Sequence, residues 1–392
     1  MAEAYIVGAL RTATGRNRGR LSDIHPVDLG AALVDGLVDQ VGINPEVVDD
    51  LIFGCVSQNS EQAGNVARNV ALASKLGESV PGVSVDRQCG SAQQAIHFAA
   101  QAVMSGTQDV VIAGGVESMS RVPMFSNVGD SLAQGRGVPK SERLEELYPG
   151  IEFSQFMGAE LLAKKYEITR EELDEFGYQS HMKANEATVS GRFREEIMPI
   201  ERRMEDGTPY FHDEDEGIRP NASLEALAGL EPLSPGGLIT AGSASQISDG
   251  SAAVMVVNED AVKKYGLKPR ARFHSLAVVG SDPVIMLEGP IPATQKALKQ
   301  AGLSIEDIDL YEVNEAFGSV PLAWAKGVGA DLNKLNVNGG AQANGHPLGC
   351  TGAKLMTTLL NELERRNGRY GLLAICEGGG TANATIIERL DS

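Results

Sequence analysis

The chain has 392 residues, 42% hydrophobic and 22% charged, with a formal net charge of −18. This is the composition of an ordinary globular protein of two or three folding units, and its acidity argues against nucleic acid or an anionic membrane as partner. No run reaches the roughly 18 apolar residues of a membrane span, and four cysteines without a CxxC pair imply a reducing, cytoplasmic setting rather than a disulfide scaffold or a metal cage. In chain order, residues 5–10 read as a strand, entered without the basic and apolar segments of a secretory signal. Residues 11–15 read as a polar turn, 28–41 as an amphipathic helix, 51–55 as a short buried strand and 65–76 as a second helix.

Residues 83–115, VSVDRQCGSAQQAIHFAAQAVMSGTQDVVIAGG, read as strand, tight turn, helix and strand. Ala92, Ala95, Ile96, Ala99, Ala100, Val103 and Met104 recur at helical spacing, Gly106 ends the helix, and residues 110–113 form an apolar strand closed by Gly114 and Gly115. Cys89 therefore stands where a strand hands over to a helix N-terminus. Unpaired N–H groups and the helix dipole there lower a thiol's pKa and favour the thiolate. A small buried core residue is the alternative reading.

From about 121 to 233 the apolar periodicity weakens and acidic runs appear, which marks an insertion carrying helices over 156–166 and 170–190. Strand patterning resumes at 252–257. Residues 289–314 then repeat the plan of 26–55, and 335–380 repeat that of 83–115, displaced by about 260 residues. A duplicated αβ unit predicts two similar halves packed in layers. It also sets the turn of Cys89 beside the turn of His346, converting a lone cysteine into a Cys–His pair.

Four segments gather at expected strand ends: Cys89 in DRQCGSA, Asn314 in VNEAF, His346 in NGGAQANGHPLGCTGA, and Cys376 in CEGGG. His346, between Gly345 and Pro347, is poorly placed for a core histidine. Cys376 reads equally as packing or chemistry, Asn314 has a helix cap as its alternative reading, and Cys55 and Cys350 read as structural. Gly378 to Gly380 let backbone N–H groups approach a ligand.

With DRQCGSAQQA, AGGVESMSRVPM, SQISDGSAAV, VNEAF, NVNGGAQANGHPLGCTGAK and CEGGGTAN in that order, the chain resembles the thiolase family along nearly its whole length. The resemblance implies an α/β, duplicated five-layer αβαβα fold. It divides the chain into an N-terminal half at 1–120, completed by about 245–265, an inserted loop domain at 121–244 and a C-terminal half at 266–392. It further implies a homodimer or homotetramer that cleaves 3-ketoacyl-CoA with CoA, or condenses two acetyl-CoA, with CoA and acyl-CoA as substrates and with no cofactor or metal. By the same resemblance Cys89 is the nucleophile, His346 its base and Cys376 the second acid/base. His346 with a water on Asn314 forms one oxyanion hole, and the backbone N–H groups of Cys89 and Gly378 form the other. Arg219, Ala241, Ser245, Met157 and Phe317 are the implied substrate contacts.

Three departures stand out: Glu377 where an aliphatic residue is usual, the polar run 342–345 before GHPLG, and Phe156 where short-chain biosynthetic members carry histidine. Phe156 points to the degradative reaction. The alternatives are biosynthetic condensation and a non-catalytic, thiolase-like binding subunit.

Overall fold

In the computed structural model, which describes residues 3–204 and 206–391, two αβ units share one continuous sheet. The first unit runs β1 (Tyr5–Thr12), α1 (Pro26–Val41), β2 (Asp50–Gly54), α2 (Val66–Ala73), β3 (Gly82–Val85), α3 (Ser91–Ser105) and β4 (Val110–Ser118). An insertion follows, with helices α4 (Gln155–Lys165) and α5 (Arg170–Val189) and a two-stranded ribbon, before β5 (Ser248–Val257) completes the unit. The second unit runs β6 (Ala271–Gly280), α6 (Pro290–Ala301), β7 (Leu310–Val313), α7 (Ser319–Val328), α8 (Thr351–Arg366), β8 (Tyr370–Glu377) and β9 (Thr381–Arg389).

The strand order is β7-β8-β9-β6-β1-β5-β4-β2-β3. The two halves join at β6 and β1 through the pairs Tyr5–Arg272 and Ile6–Ala271. Each half has the same internal plan: β3-β2-β4-β5-β1 answers to β7-β8-β9-β6, with one strand missing at the far edge. Its remnant is a single parallel bridge from Leu335 to Tyr311. The strand expected just before His346 is thus reduced to one residue. Asn336, at φ 43°, leaves the extended region, and its side-chain amide exchanges both hydrogen bonds with the Val313 backbone, at 2.9 Å each. A side chain does the work of the absent ladder.

Helices α3 and α8 lie back to back in the middle, packed against both half-sheets, while α1 and α2 cover the outer face of the first half and α6 and α7 that of the second. The result is five layers. Small residues allow the central contact: a Cβ on Gly352 would lie 2.2 Å from Gln93 N. Gly114 and Gly115 lie inside β4 rather than closing it. A Cβ on Gly115 would lie 2.0 Å from the Gly349 carbonyl oxygen, so the second unit's loop rests directly on the first unit's strand. The N-termini of α3 and α8 open toward the same end of the layer.

The expected polar turn at 11–15 is overturned at its start. Arg11 and Thr12 continue β1, and Arg11 is fully buried. Its guanidinium meets Glu196 at 2.7 Å and Asp215 at 2.8 Å, both from the insertion. Charge there signals a buried anchor, not a solvated bend. Arg11→Met should leave two uncompensated buried carboxylates, at a cost of about 3–5 kcal/mol. The urea unfolding midpoint should fall accordingly, and an unchanged midpoint would show that the anchor carries no stability.

Candidate active site

The Cys89 turn is fixed by its own polar side chains. The Ser91 hydroxyl donates to Gln88 O at 2.6 Å and accepts from Arg87 N at 2.9 Å, and Asp86 accepts from Gln88 N at 2.8 Å. Gln88 is held at φ 48°, a costly conformation for a residue with a Cβ. The turn presents Cys89 at the start of α3, where it is 8% exposed.

His346 is presented by a loop between the short helix Ala341–Asn344 and α8, not by a strand end. Buried Lys354 pins that loop, donating to Asn344 O, Asn344 Oδ1 and Gly345 O at 2.7–2.8 Å. The Thr351 hydroxyl donates to Pro347 O at 2.8 Å, so at 2.6 Å it must accept from His346 Nδ1–H. That contact selects the tautomer and leaves Nε2 as an acceptor. Asn314, just beyond β7, points its Nδ2 at Nε2 from 3.3 Å, and its Oδ1 is buried without a partner among the described residues. Asn314 caps no helix, because α7 begins at Ser319.

Cys376 lies at the end of β8, buried. Its pKa is pushed well above the usual thiol value by burial, then by Cys89 and Glu377, which places the two sulfurs within electrostatic reach of each other. Cys89 itself is pushed up to about 12, first by burial and next by Glu377. The expected thiolate is therefore corrected to a neutral thiol: desolvation outweighs the helix N-terminus, whose first N–H groups already bond Arg87 O and Gln88 O. His346 is depressed to about 3 by burial and then by Lys354. The resting pair is thiol and imidazole. Among the described residues no hydrogen bond joins Cys89 to His346.

Two adjoining cavities reach His346 and Cys89, while Cys376 and Asn314 line neither. One of ≈ 480 Å³ is lined by His346, Arg219, Ala241, Ser245, Phe317 and Phe156, with Arg16 on its wall. The other, ≈ 380 Å³, is lined by Cys89, Gly378 and Gly379 with Phe125, Val128 and Phe153. Met124, Gln155 and Leu348 belong to both walls. Met157 lines neither and is 56% exposed; Phe156 takes its place, edge-on to Phe317 with ring centroids 5.5 Å apart. Neither the Cys89 nor the Gly378 N–H is used in a turn or loop hydrogen bond among the described residues.

The thiolase N-terminal domain model matches residues 4–260 and the thiolase C-terminal domain model residues 267–389. The chain belongs to the thiolase family. The steroid 3-ketoacyl-CoA thiolase FadA6 of Mycobacterium tuberculosis is 54% identical over 392 residues, covering 100% of this chain and 95% of that protein. A 3-ketoacyl-CoA thiolase of Idiomarina loihiensis is 44% identical over 397 residues and the full length of both. The crystal structure of the Bacillus anthracis acetyl-CoA acetyltransferase superposes with a TM-score of 0.90 at 38% identity, covering 100% of this chain and 99% of that one. As a thiolase, the chain is an acyltransferase.

Three residues of the site escaped the sequence reading. Thr351 and Lys354 lie in the GHPLGCTGAK run and orient His346. Glu117, in GGVES, accepts from Val56 N, Ser57 N and Gly349 N at 2.8–3.0 Å, tying first-half and second-half loops together. A lone acidic residue after a strand reads as solvated, and only its pairing reveals the tie. With His346 held neutral, selectively labelled imidazole NMR should show its Nδ1–H tautomer unchanged from pH 8 down to pH 5. A titration midpoint near 6.5 would contradict the burial argument.

Proposed function

We propose that this thiolase works in the degradative direction, cleaving a 3-ketoacyl-CoA with free CoA to acetyl-CoA and a shortened acyl-CoA. The observation that carries the reading is the ≈ 380 Å³ aromatic and aliphatic cavity beside Cys89, adjoining the one lined by His346, whose Nδ1 is committed to Thr351 and whose Nε2 faces the Asn314 amide at 3.3 Å.

In this scheme Cys89 gives its proton to His346 Nε2 as the sulfur attacks the C3 carbonyl. The carbonyl becomes an oxyanion, held by preorganised N–H donors. Collapse breaks the C2–C3 bond, the electron pair passes to C2, and Cys376 protonates C2 so that acetyl-CoA leaves. Cys376, now a thiolate, takes the proton of incoming CoA, whose sulfur attacks the Cys89 thioester. Cys89 leaves and recovers its proton from His346. The thiol pKa values of CoA and cysteine lie close together, which suits this exchange. No cofactor enters the scheme.

The cavity shapes support a division of labour. Arg16 and Arg219 supply local positive charge for CoA phosphates on a chain of net charge −18. The aromatic and aliphatic cavity beside Cys89 offers ≈ 380 Å³, far more than an acetyl group needs, and supports a longer acyl chain. We assign the chain to the cytoplasm, in line with its four free, buried cysteines. No helix among the described residues is long and apolar enough to cross a membrane. We also propose a homodimer or homotetramer, the outer edge of β3 being left unpaired among the described residues.

A panel of 3-ketoacyl-CoAs from acetoacetyl upward, including ring-bearing acyl groups, tests the reading through kcat/KM. Values should rise with acyl size, vanish in Cys89→Ala, drop by orders of magnitude in Cys376→Ser and stay within a few-fold in Cys350→Ala. Best activity with acetoacetyl-CoA would favour the condensing reaction instead, and activity surviving in Cys89→Ala would remove the nucleophile.

A further inference from the structure

Successive side chains of a strand face opposite sides of the sheet, so Glu377 points away from the side of Cys376. It enters the central layer where α3 begins. There it fills the room that a side chain at residue 90 would need: a Cβ on Gly90 would lie 1.9 Å from Glu377 Oε1. The Thr381 hydroxyl donates to Oε2 at 2.5 Å, while Oε1 is buried with no partner among the described residues. A half-satisfied buried carboxyl is costly. An apolar side chain of similar length would fill the same space without that cost.

The groups facing Glu377 are few. The turn before α3 brings Cys89 and Arg87, which acts on the carboxyl without forming an ion pair, while Asp86 acts on Cys89. Helix α3 adds His97, held neutral by burial and linked to Asn383 at 3.4 Å. On the opposite face of β8, Cys376 is still within reach of the Glu377 charge, and β9 brings the uncharged Thr381 and Asn383. Glu117 acts on Cys89 from β4.

We propose that Glu377 is a positioning residue for acyl transfer: wedged against Gly90 beside the Cys89 turn, its carboxyl, whenever it is ionised, opposes release of the Cys89 proton ahead of substrate. The proposal rests on Cys89 being the thiolase nucleophile. Two acids sharing one buried site cannot both ionise freely. Burial holds Glu377 up at about 8, and its charge is the second cause, after burial, of the raised value at Cys89. Below pH 7 Glu377 is protonated and exerts no repulsion. As pH rises through 8 it ionises and opposes the thiolate further.

The test is the rate of Cys89 alkylation by iodoacetamide, followed by peptide mass spectrometry from pH 6 to 10 in the full-length wild type and in Glu377→Gln. The wild-type and variant rates should converge below pH 7, and the variant should react about tenfold faster near pH 9, corresponding to a shift of about one unit. Equal rates throughout would overturn the proposal. So would a constant ratio at every pH, which is what a purely structural role gives. Glu377→Leu repeats the comparison should the glutamine variant fail to fold. Each protein is also incubated with acetyl-CoA alone. Failure of wild-type Cys89 to become acetylated would remove the thiolase reading itself, while the alkylation comparison still judges Glu377.

Discussion

Burial of Cys89, His346 and Cys376 is the constraint on which the rest of this structure depends. Cys89, His346 and Cys376 are all withdrawn from water, and each is thereby held in its uncharged form. A site of neutral groups cannot rely on a standing thiolate. In the proposed scheme a proton moves at the moment of attack, so the orientation of the base matters more than its basicity. The Thr351 contact and the three Lys354 hydrogen bonds are what supply that orientation.

The fold serves this arrangement by bringing one end of each repeat to a common point. Helices α3 and α8 pack at the distance that Gly352 permits, and the Gly349 carbonyl rests on Gly115. Glu117 then ties the loop at 56–57 to the loop at 349 through backbone N–H groups. Cys89 from one half and His346 from the other are placed by main-chain contacts, which tolerate little displacement. A Cβ at Gly115 or Gly352 would push the two halves apart where the site is assembled.

Much of this was legible in the sequence because it follows from periodicity. The apolar repeat of α3, its Gly106 terminus and the duplicated αβ plan need only local pattern, and each has its counterpart in the structure. What was not legible depends on partners distant in the chain. Arg11 reads as a turn residue until Glu196 and Asp215, about 200 positions away, are seen around it. The acidity expected for Cys89 followed from the helix N-terminus alone; the loss of water, with Glu377, 288 positions on, as the second cause, reverses its direction. The strand expected before His346 is replaced by a side chain, Asn336, and no pattern of apolar residues reports that. Met157 and Phe156 are neighbours on one helix turn, and only the packing of Phe156 on Phe317 shows which one faces the cavity.

The account stands on Cys89 carrying the acyl group within a pocket of preorganised donors. Crystals soaked with acetyl-CoA and cooled before deacylation test it directly. The account predicts density for an acetyl group bonded to Cys89 Sγ, its carbonyl oxygen turned toward the N–H groups of Cys89 and Gly378. Acetyl density on Cys376 instead, or a Cys89 thioester whose oxygen faces away from both N–H groups, would contradict it.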